Sequence, residues 1–162
     1  MVEEHSGWED LPEELRQKVF IQVAKALYDS RGNARSLILI AHGFIELLVN
    51  TLIEKKTKNG KKMANNRDFP HSAKLIILHE LGLLTDYRFK TLDYFRKLRN
   101  KASHEPLFKI DLATLKNEFN KFATNETATV ASLQASGLHQ FCLLLVVALW
   151  TDHSETFVPV FF

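Results

Sequence analysis

The chain has 162 residues, a length that fits one domain built around one hydrophobic core. With 46% hydrophobic and 25% charged residues, its composition is that of an ordinary soluble globular protein. The net charge is only +2, but residues 54–104 carry 13 Lys and Arg against 5 Asp and Glu, between two acidic flanks. A basic zone of this kind can attract a polyanion such as RNA. For the run "EKKTKNGKK" taken alone, solubility of an exposed loop is the simpler explanation.

Cysteine usage and hydropathy exclude several classes of protein. Cys142 is the single cysteine, so an intramolecular disulfide and a cysteine-based zinc site are excluded, and a cytoplasmic location is expected. The acidic N-terminal stretch lacks the basic and apolar regions of a signal peptide. The longest apolar stretch, Phe141–Trp150, has ten residues, too few to span a bilayer, so we expect no membrane association.

Helical periodicity begins near a capping residue, Asp10. Apolar residues then recur every four positions and predict the first helix: Leu15, Val19, Val23 and Leu27. The stretch "DSRGN" ends this helix. The second predicted helix, at about 34–56, is apolar nearly all round, so it should be the central and most buried helix.

A polar loop, "KTKNGKKMANNRDFP", separates the second helix from a short third helix in "HSAKLIILHELGLL". The fourth predicted helix opens at Thr85 or Asp86, and Pro106 stops it because the residue before a proline avoids the helical conformation. One apolar stripe at spacings of three and four defines its buried face: Phe89, Leu92, Phe95, Leu98 and Ala102.

A short fifth helix is predicted from the N-cap Asp111, and a last helix from about Thr127 to about Asp152. The tail "TFVPVFF" is the only strand-like segment. It is too apolar to be exposed, so we expect it to dock on the bundle or on a partner. The sequence therefore predicts an all-α fold, a compact bundle of five to six helices forming a single domain over residues 1–162.

The stretch "LRNKASHEP" concentrates polar side chains at the end of the fourth helix. Arg99 and His104 are five residues apart, about 140° around an ideal helix, so they converge only if the last turn unwinds near Ser103–Glu105. Pro106 favours that unwinding. The structural alternative is that Arg and His at a helix C-terminus simply complement the macrodipole and bond the free carbonyls.

Cleavage of RNA is a reaction that uses both side chains. An imidazole such as that of His104 can take the proton of a ribose 2′-hydroxyl or return one to the leaving oxygen. A guanidinium such as that of Arg99 can hold two phosphate oxygens and stabilise the charge that builds on phosphorus. Asn100 can orient either group. The chemistry needs no metal, and we expect no cofactor.

These residues resemble a known family motif. "LRNKASHEP" resembles the R-N-x-x-x-H motif of the HEPN superfamily, and the order of segments over about residues 33–110 is similar to its mannitol-repressor-like branch. The resemblance implies a small all-α domain, and in many members a metal-independent ribonuclease of toxin–antitoxin or defence systems. It also implies a homodimer with two motifs across a two-fold interface, and an antitoxin or regulatory protein as a partner.

Carried over by position, the resemblance makes Arg99, Asn100 and His104 the catalytic residues, with Ser103 in support. It also places Glu46 where related domains often carry an acidic residue. His42, Glu46 and Asn50 lie four apart and form one polar stripe on an apolar helix. Glu46 is expected to pair with Arg99, or else the stripe is a buried polar network that sets helix register.

The other histidines and the tryptophans suggest no site. The histidines within predicted helices are interpreted as ordinary helix residues: His71, His79 and His139. His5 and His153 lie near the chain ends, and Trp8 and Trp150 are interpreted as packing anchors.

Three functions compete at this point. The first is an endoribonuclease acting through Arg99 and His104. The second is a non-catalytic regulatory or interaction module of the mannitol-repressor-like type, and the third is a helical dimer without a ligand. The nuclease is placed first because both side chains that the reaction uses, those of Arg99 and His104, are present in the sequence.

Overall fold

The computed structural model describes residues 18–111 and 137–162, together with residues 113–115, 117, 118 and 121. Within these residues the fold is all-helical and contains no strand. Seven helices have defined bounds: α1 (Val19–Asp29), α2 (Ala34–Lys56), α3 (Gly60–Ala64), α4 (His71–Glu80), α5 (Asp86–His104), α6 (Leu138–Asp152) and α7 (Ser154–Phe161). Described residues between 113 and 121 are helical too, so the predicted count of five to six helices is too low.

Helix α2 is the centre of the bundle, as its all-round apolar sequence predicted. It contacts each of the six other helices with defined bounds. Its first turn is capped by Asn33, whose side chain accepts a 3.0 Å hydrogen bond from the Ser36 amide. Eleven of its residues are buried, among them Leu48, Leu52 and Ile53. The buried apolar side chains of all the helices form one cluster around it.

Helix α2 is also long and apolar enough to cross a membrane, with a mean hydropathy of 1.9 over its most apolar window, of which 61% is buried in the bundle. Helices α6 and α7 meet the same criterion only when taken together, and a bend of 97° separates them. A buried core helix satisfies this criterion as readily as a membrane span does.

Helix α5 buries its predicted stripe, since Leu92, Phe95, Leu98 and Ala102 are buried and Phe89 is partly buried. Thr85 caps its start by accepting a hydrogen bond from the Arg88 amide. The period of 3.6 residues therefore sets which face of α5 meets α2, and it leaves the adjacent face polar.

The end of α5 differs from the prediction. The helix is regular through His104 and does not unwind at Ser103–Glu105. Arg35, near the start of α2, donates to the carbonyls of Glu105 at 2.7 Å and Pro106 at 3.2 Å. These bonds satisfy carbonyls beyond the helix end and fix the chain there without the loss of a helical turn.

The predicted polar loop contains the short helix α3, which packs on α2. Gly60 permits this packing, because a Cβ atom there would lie 2.2 Å from the Ile53 carbonyl oxygen. The last long helix begins at Leu138, after Gly137 with φ of 85°. The predicted start near Thr127, like the N-terminal part of the first predicted helix, lies outside the described residues.

The C-terminal tail is helical rather than strand-like. It forms α7, in which Phe157 is fully buried. The Trp150 ring lies 5.3 Å from that of Phe157, 5.9 Å from that of Phe161 and 5.7 Å from that of Phe162. The tail therefore docks on the bundle, and the prediction that Trp150 is a packing anchor is confirmed.

Candidate functional site

A polar pocket lies between α2, the start of α4 and the second half of α5. Its volume is about 240 Å³, and eight residues line it: His42, Glu46, Pro70, His71, Ser72, Arg96, Arg99 and Asn100. The α2 residues are spaced by four and the α5 residues by three and four, so each helix presents one face to the pocket. Four residues proposed from the sequence therefore meet in one place: His42, Glu46, Arg99 and Asn100.

Arg96 is held in the pocket wall by Asp93, one turn earlier on α5. Its Nε and Nη2 atoms both donate to Asp93 Oδ1, at 2.9 and 2.8 Å. Lys97 contacts the other carboxylate oxygen at 2.8 Å. Burial alone would raise the pKa of Asp93, but the hydrogen bonds from Lys97 and Arg96 outweigh it and hold that pKa below its usual range. Arg96 is thus a fixed positive group.

Arg99 is half-buried and has no ion pair among the described residues. Its hydrogen bond is a long one, 3.3 Å from Nη1 to Asn100 Oδ1. The predicted pairing with Glu46 is not formed, because the Glu46 carboxylate instead lies 4.0 Å from His42 Nδ1. Since the Glu46 side chain is 42% exposed, it remains hydrated at the rim. Arg99 therefore keeps its donors for a ligand.

Two histidines form the floor of the pocket. His42 is 4% exposed, and its ring lies edge-on to that of His71 with centroids 4.8 Å apart. Burial, followed by the charges of Arg99 and Arg96, lowers the pKa of His42 to about 4. Burial, followed by His42 and then by nearby cationic groups, lowers the pKa of His71 to about 3. Both imidazoles are therefore uncharged at neutral pH.

His71 corrects the interpretation from the sequence. The sequence predicts an ordinary helix residue without a partner, whereas in the structure His71 lines the pocket beside His42. Arg96, which was not among the residues predicted from the sequence, is also part of the site. A signal for Arg96 was available, because it is spaced by three and four from Arg99 and Asn100 on a helix. No sequence spacing pointed to His71, since its partner lies on another helix.

Ser103 and His104 do not lie in the pocket. Both are exposed on the last turn of α5, and neither is among the pocket-lining residues. Because α5 stays regular, Arg99 and His104 project about 140° apart around the helix. Within one chain the structure therefore places Arg99 and Asn100 on one face of α5 and His104 on another.

Asn50, the third member of the polar stripe on α2, has a structural role. It accepts a 2.8 Å hydrogen bond from Nζ of Lys74, which also donates to the Ala64 carbonyl at 2.9 Å. Lys74 is only 5% exposed, so these two acceptors satisfy most of a buried ammonium group. This part of the stripe matches the alternative of a buried polar network that joins α2 to α4.

The remaining histidines that the structure describes take part in packing and hydrogen bonds between elements of the bundle. His79 bonds Asp86 at 2.7 Å, and His139 packs edge-on to the Tyr28 ring, as expected of ordinary helix residues. His153, which suggested nothing in the sequence, donates from Nε2 to the Leu83 carbonyl at 2.8 Å and so joins α6 to the α4–α5 turn. His5 and Trp8 lie outside the described residues.

A second pocket, of about 300 Å³, lies along a different part of α5. It combines lysines with aromatic and apolar groups: Tyr94, Lys97, Leu98, Lys101, Phe108, Lys109, Ile110, Asp111 and Thr114. Lysines and aromatic side chains in one pocket suit a nucleic-acid strand, because they combine attraction for the backbone with surfaces on which bases stack. In the part of the chain that the structure describes, no group of three or more His, Cys, Asp or Glu could hold a metal ion.

No family model, curated protein or solved structure matches the chain. The similarity to the HEPN motif is therefore a resemblance carried by the sequence alone.

Proposed function

We propose that the protein is a HEPN-type, metal-independent endoribonuclease. The observation that carries the proposal is the state of Arg99, a half-buried guanidinium without an ion pair among the described residues. It faces a pocket that already holds a second guanidinium, that of Arg96. Positive groups held ready for a phosphate are what phosphodiester cleavage requires of a protein.

In the proposed reaction, His104 takes the proton of a ribose 2′-hydroxyl and the 2′-oxygen attacks the adjacent phosphorus. The bond from phosphorus to the 5′-oxygen breaks, and His104 returns its proton to that oxygen, which leaves as a 5′-hydroxyl group. The other product carries a 2′,3′-cyclic phosphate. Arg99 stabilises the charge on the phosphoryl oxygens, and Asn100 holds the guanidinium of Arg99 in place.

The catalytic pair is proposed to form across a homodimer, with Arg99 from one chain and His104 from a second copy. An exposed apolar residue near the motif supports this arrangement, because Leu107 is 88% exposed three residues after His104. An isologous interface around the end of α5 would cover Leu107 and bring the two motifs together. A cytoplasmic location, with an antitoxin or another regulatory protein as partner, belongs to the same proposal.

One observation favours a second candidate, a non-catalytic regulatory or interaction module of the mannitol-repressor-like type. The guanidinium groups of Arg96 and Arg99 lie in the pocket while His104 lies outside it. A chain built in this way can bind a phosphate without cleaving RNA.

The test is cleavage of a broad RNA panel by purified full-length protein. We expect cutting that survives EDTA, leaves a 2′,3′-cyclic phosphate and spares DNA, which lacks the nucleophile. Arg99→Ala and His104→Ala should each reduce the rate by about a hundredfold or more. Lys90→Ala, at an exposed position on the same helix, is the matched control. An uncut panel, or full activity in the double variant, favours the regulatory module.

A further inference from the structure

The floor of the polar pocket contains buried side-chain atoms that have no hydrogen-bond partner among the described residues. They are Nε2 of His42 and both ring nitrogens of His71. A folded protein usually pairs such atoms with protein groups, water or a ligand. Because His42 is 4% exposed, its orientation is set by the core and not by solvent. Both histidines belong to the lining of a pocket that opens between three helices, so their rings lie beside any group bound there.

The charges around the pocket indicate the sign of that group. Arg96 and Arg99 both line the pocket, and after burial, the largest cause, their positive charges contribute to the lowered pKa values of the two histidines. Glu46, the one acidic residue of the lining, has a 42% exposed side chain. The nearby Lys74 is already bonded to Asn50 and Ala64. The net field therefore favours an anion over a metal cation.

The start of α4 adds hydrogen-bond donors that suit an anion. This ten-residue helix begins at His71, and its N-cap, Pro70, provides no side-chain cap. The first amides of a helix have no partner within the helix and carry its positive dipole end. The Ser72 hydroxyl lies in the same lining. His71 also contributes an N–H donor, because one ring nitrogen of a neutral histidine is always protonated, and His42 contributes one in the tautomer that carries the proton on Nε2.

We propose that this pocket is a phosphate-binding site, in which Arg96 and Arg99 supply charge and His42, His71 and the first turn of α4 donate hydrogen bonds. The bound group is a phosphate that carries its own negative charge, from an RNA backbone, from a terminal phosphomonoester or as the free ion. The inference goes beyond RNA cleavage, because it needs neither His104 nor a second chain. Arg96 and Arg99 are common to both proposals.

The test is calorimetric titration of the full-length protein with three probes: inorganic phosphate, adenosine 5′-monophosphate and a 2′-O-methyl RNA oligonucleotide without a terminal phosphate. The last probe cannot be cleaved, so binding is measured apart from catalysis. Preference for the monophosphate identifies a terminal phosphomonoester as the ligand. Preference for the oligonucleotide identifies a backbone phosphate, and equal molar affinity for all three identifies the phosphate group alone.

Two pocket variants separate binding from folding. Arg96→Ala and His71→Gln should each weaken binding of the preferred probe by about tenfold or more, as expected for a lost charge-assisted or buried hydrogen bond. Lys90→Ala should bind as the wild type does. His71→Gln keeps a polar side chain, so we expect this variant to fold. A melting temperature close to that of the wild type would show that its bundle is intact.

The outcomes of the two proposals are distinguishable. If no probe binds at millimolar concentration, or if both folded pocket variants bind like the wild type, the phosphate site is wrong whether or not RNA is cut. If phosphate binds and no RNA is cut, the ribonuclease proposal fails while the phosphate site stands.

Discussion

Two parts of α5 lie less than two turns apart and differ in almost every physical respect. Around Arg99 and Asn100 the helix faces a pocket with the buried imidazole of His42, the partly buried imidazole of His71 and a second guanidinium. Around Ser103 and His104 it is exposed, and Leu107 beyond it is 88% exposed. One region is enclosed by the protein's own side chains, and the other presents polar and apolar groups to whatever lies outside.

The difference shows that a motif contiguous in sequence is divided by the helix that carries it. Residues five apart on a regular helix face different directions. A site that needs both ends of the motif therefore needs a second surface, whereas a site that needs only Arg99 and its neighbours is complete within one chain. The ribonuclease proposal belongs to the first kind and the phosphate site to the second.

The largest expected effect comes from mixing two inactive variants. If Arg99 of one chain acts with His104 of another, Arg99→Ala and His104→Ala are each inactive alone. Random exchange between them should restore about a quarter of wild-type cleavage, because half of the dimers contain one intact site out of two. The measurement is RNA cleavage after the variants are unfolded and refolded together.

The control for this mixing experiment is refolding of each variant by itself. Absence of recovery, in a mixture shown by light scattering to be dimeric, would place both residues of each site in one chain. That result would contradict the division of α5 into an enclosed part around Arg99 and an exposed end around His104, since it would require the end of α5 to unwind in the active protein.

A second prediction concerns acid stability, which should be governed by the enclosed region. Unfolded histidines bind a proton near pH 6.5, whereas the pKa is about 4 for folded His42 and about 3 for folded His71. Between these limits the unfolded state binds more protons, so the free energy of unfolding falls as the pH falls. The slope is up to about 1.4 kcal/mol per pH unit for each histidine, and it vanishes above about pH 6.5.

The measurement is urea denaturation from about pH 7 to 5, where most carboxyl groups remain ionised. Burial also lowers the pKa of His139, so some slope of the same sign will remain. The double variant His42→Gln/His71→Gln should therefore flatten the curve without abolishing its slope. The charged groups that face the two histidines are Glu46, Arg96, Arg99 and Lys74. If the pH slope of the free energy of unfolding were equal in the wild type and the double variant, these groups would offset the free energy of protonating His42 and His71.

Much of the fold follows from periodicity. The stripe on α5 and the central place of α2 were predictable because burial of an apolar helix face decides packing. The helix α3 was not, because five residues are too few to show a period. The helical conformation of the tail was not predictable, because its β-branched and aromatic residues and Pro159 favour a strand or a turn. Contacts with Trp150 hold it as a helix.

The site was predictable only where its residues share a helix. Arg99 and Asn100 were found through the motif, and His42 and Glu46 through their spacing on α2. His71 was missed because it meets His42 only where α4 packs against α2, and no local pattern encodes such an approach. The regular end of α5 was missed for a similar reason, since the bonds from Arg35 to Glu105 and Pro106 span about seventy residues of sequence.

The smallest expected effect is on stability at the exposed end of α5. Ser103→Ala and His104→Ala should change the free energy of unfolding by no more than about 0.5 kcal/mol, because both side chains are exposed and neither caps the helix. Arg35→Ala is the informative comparison, since it removes the donor to Glu105 and Pro106 and should cost about 0.5–1.5 kcal/mol. Urea denaturation of the three variants at pH 7, all at the same protein concentration as the wild type, measures the difference. If His104→Ala costs as much as Arg35→Ala, then His104 supports the helix end. A loss of RNA cleavage in that variant would then follow from the structure of α5 and not from a missing proton carrier.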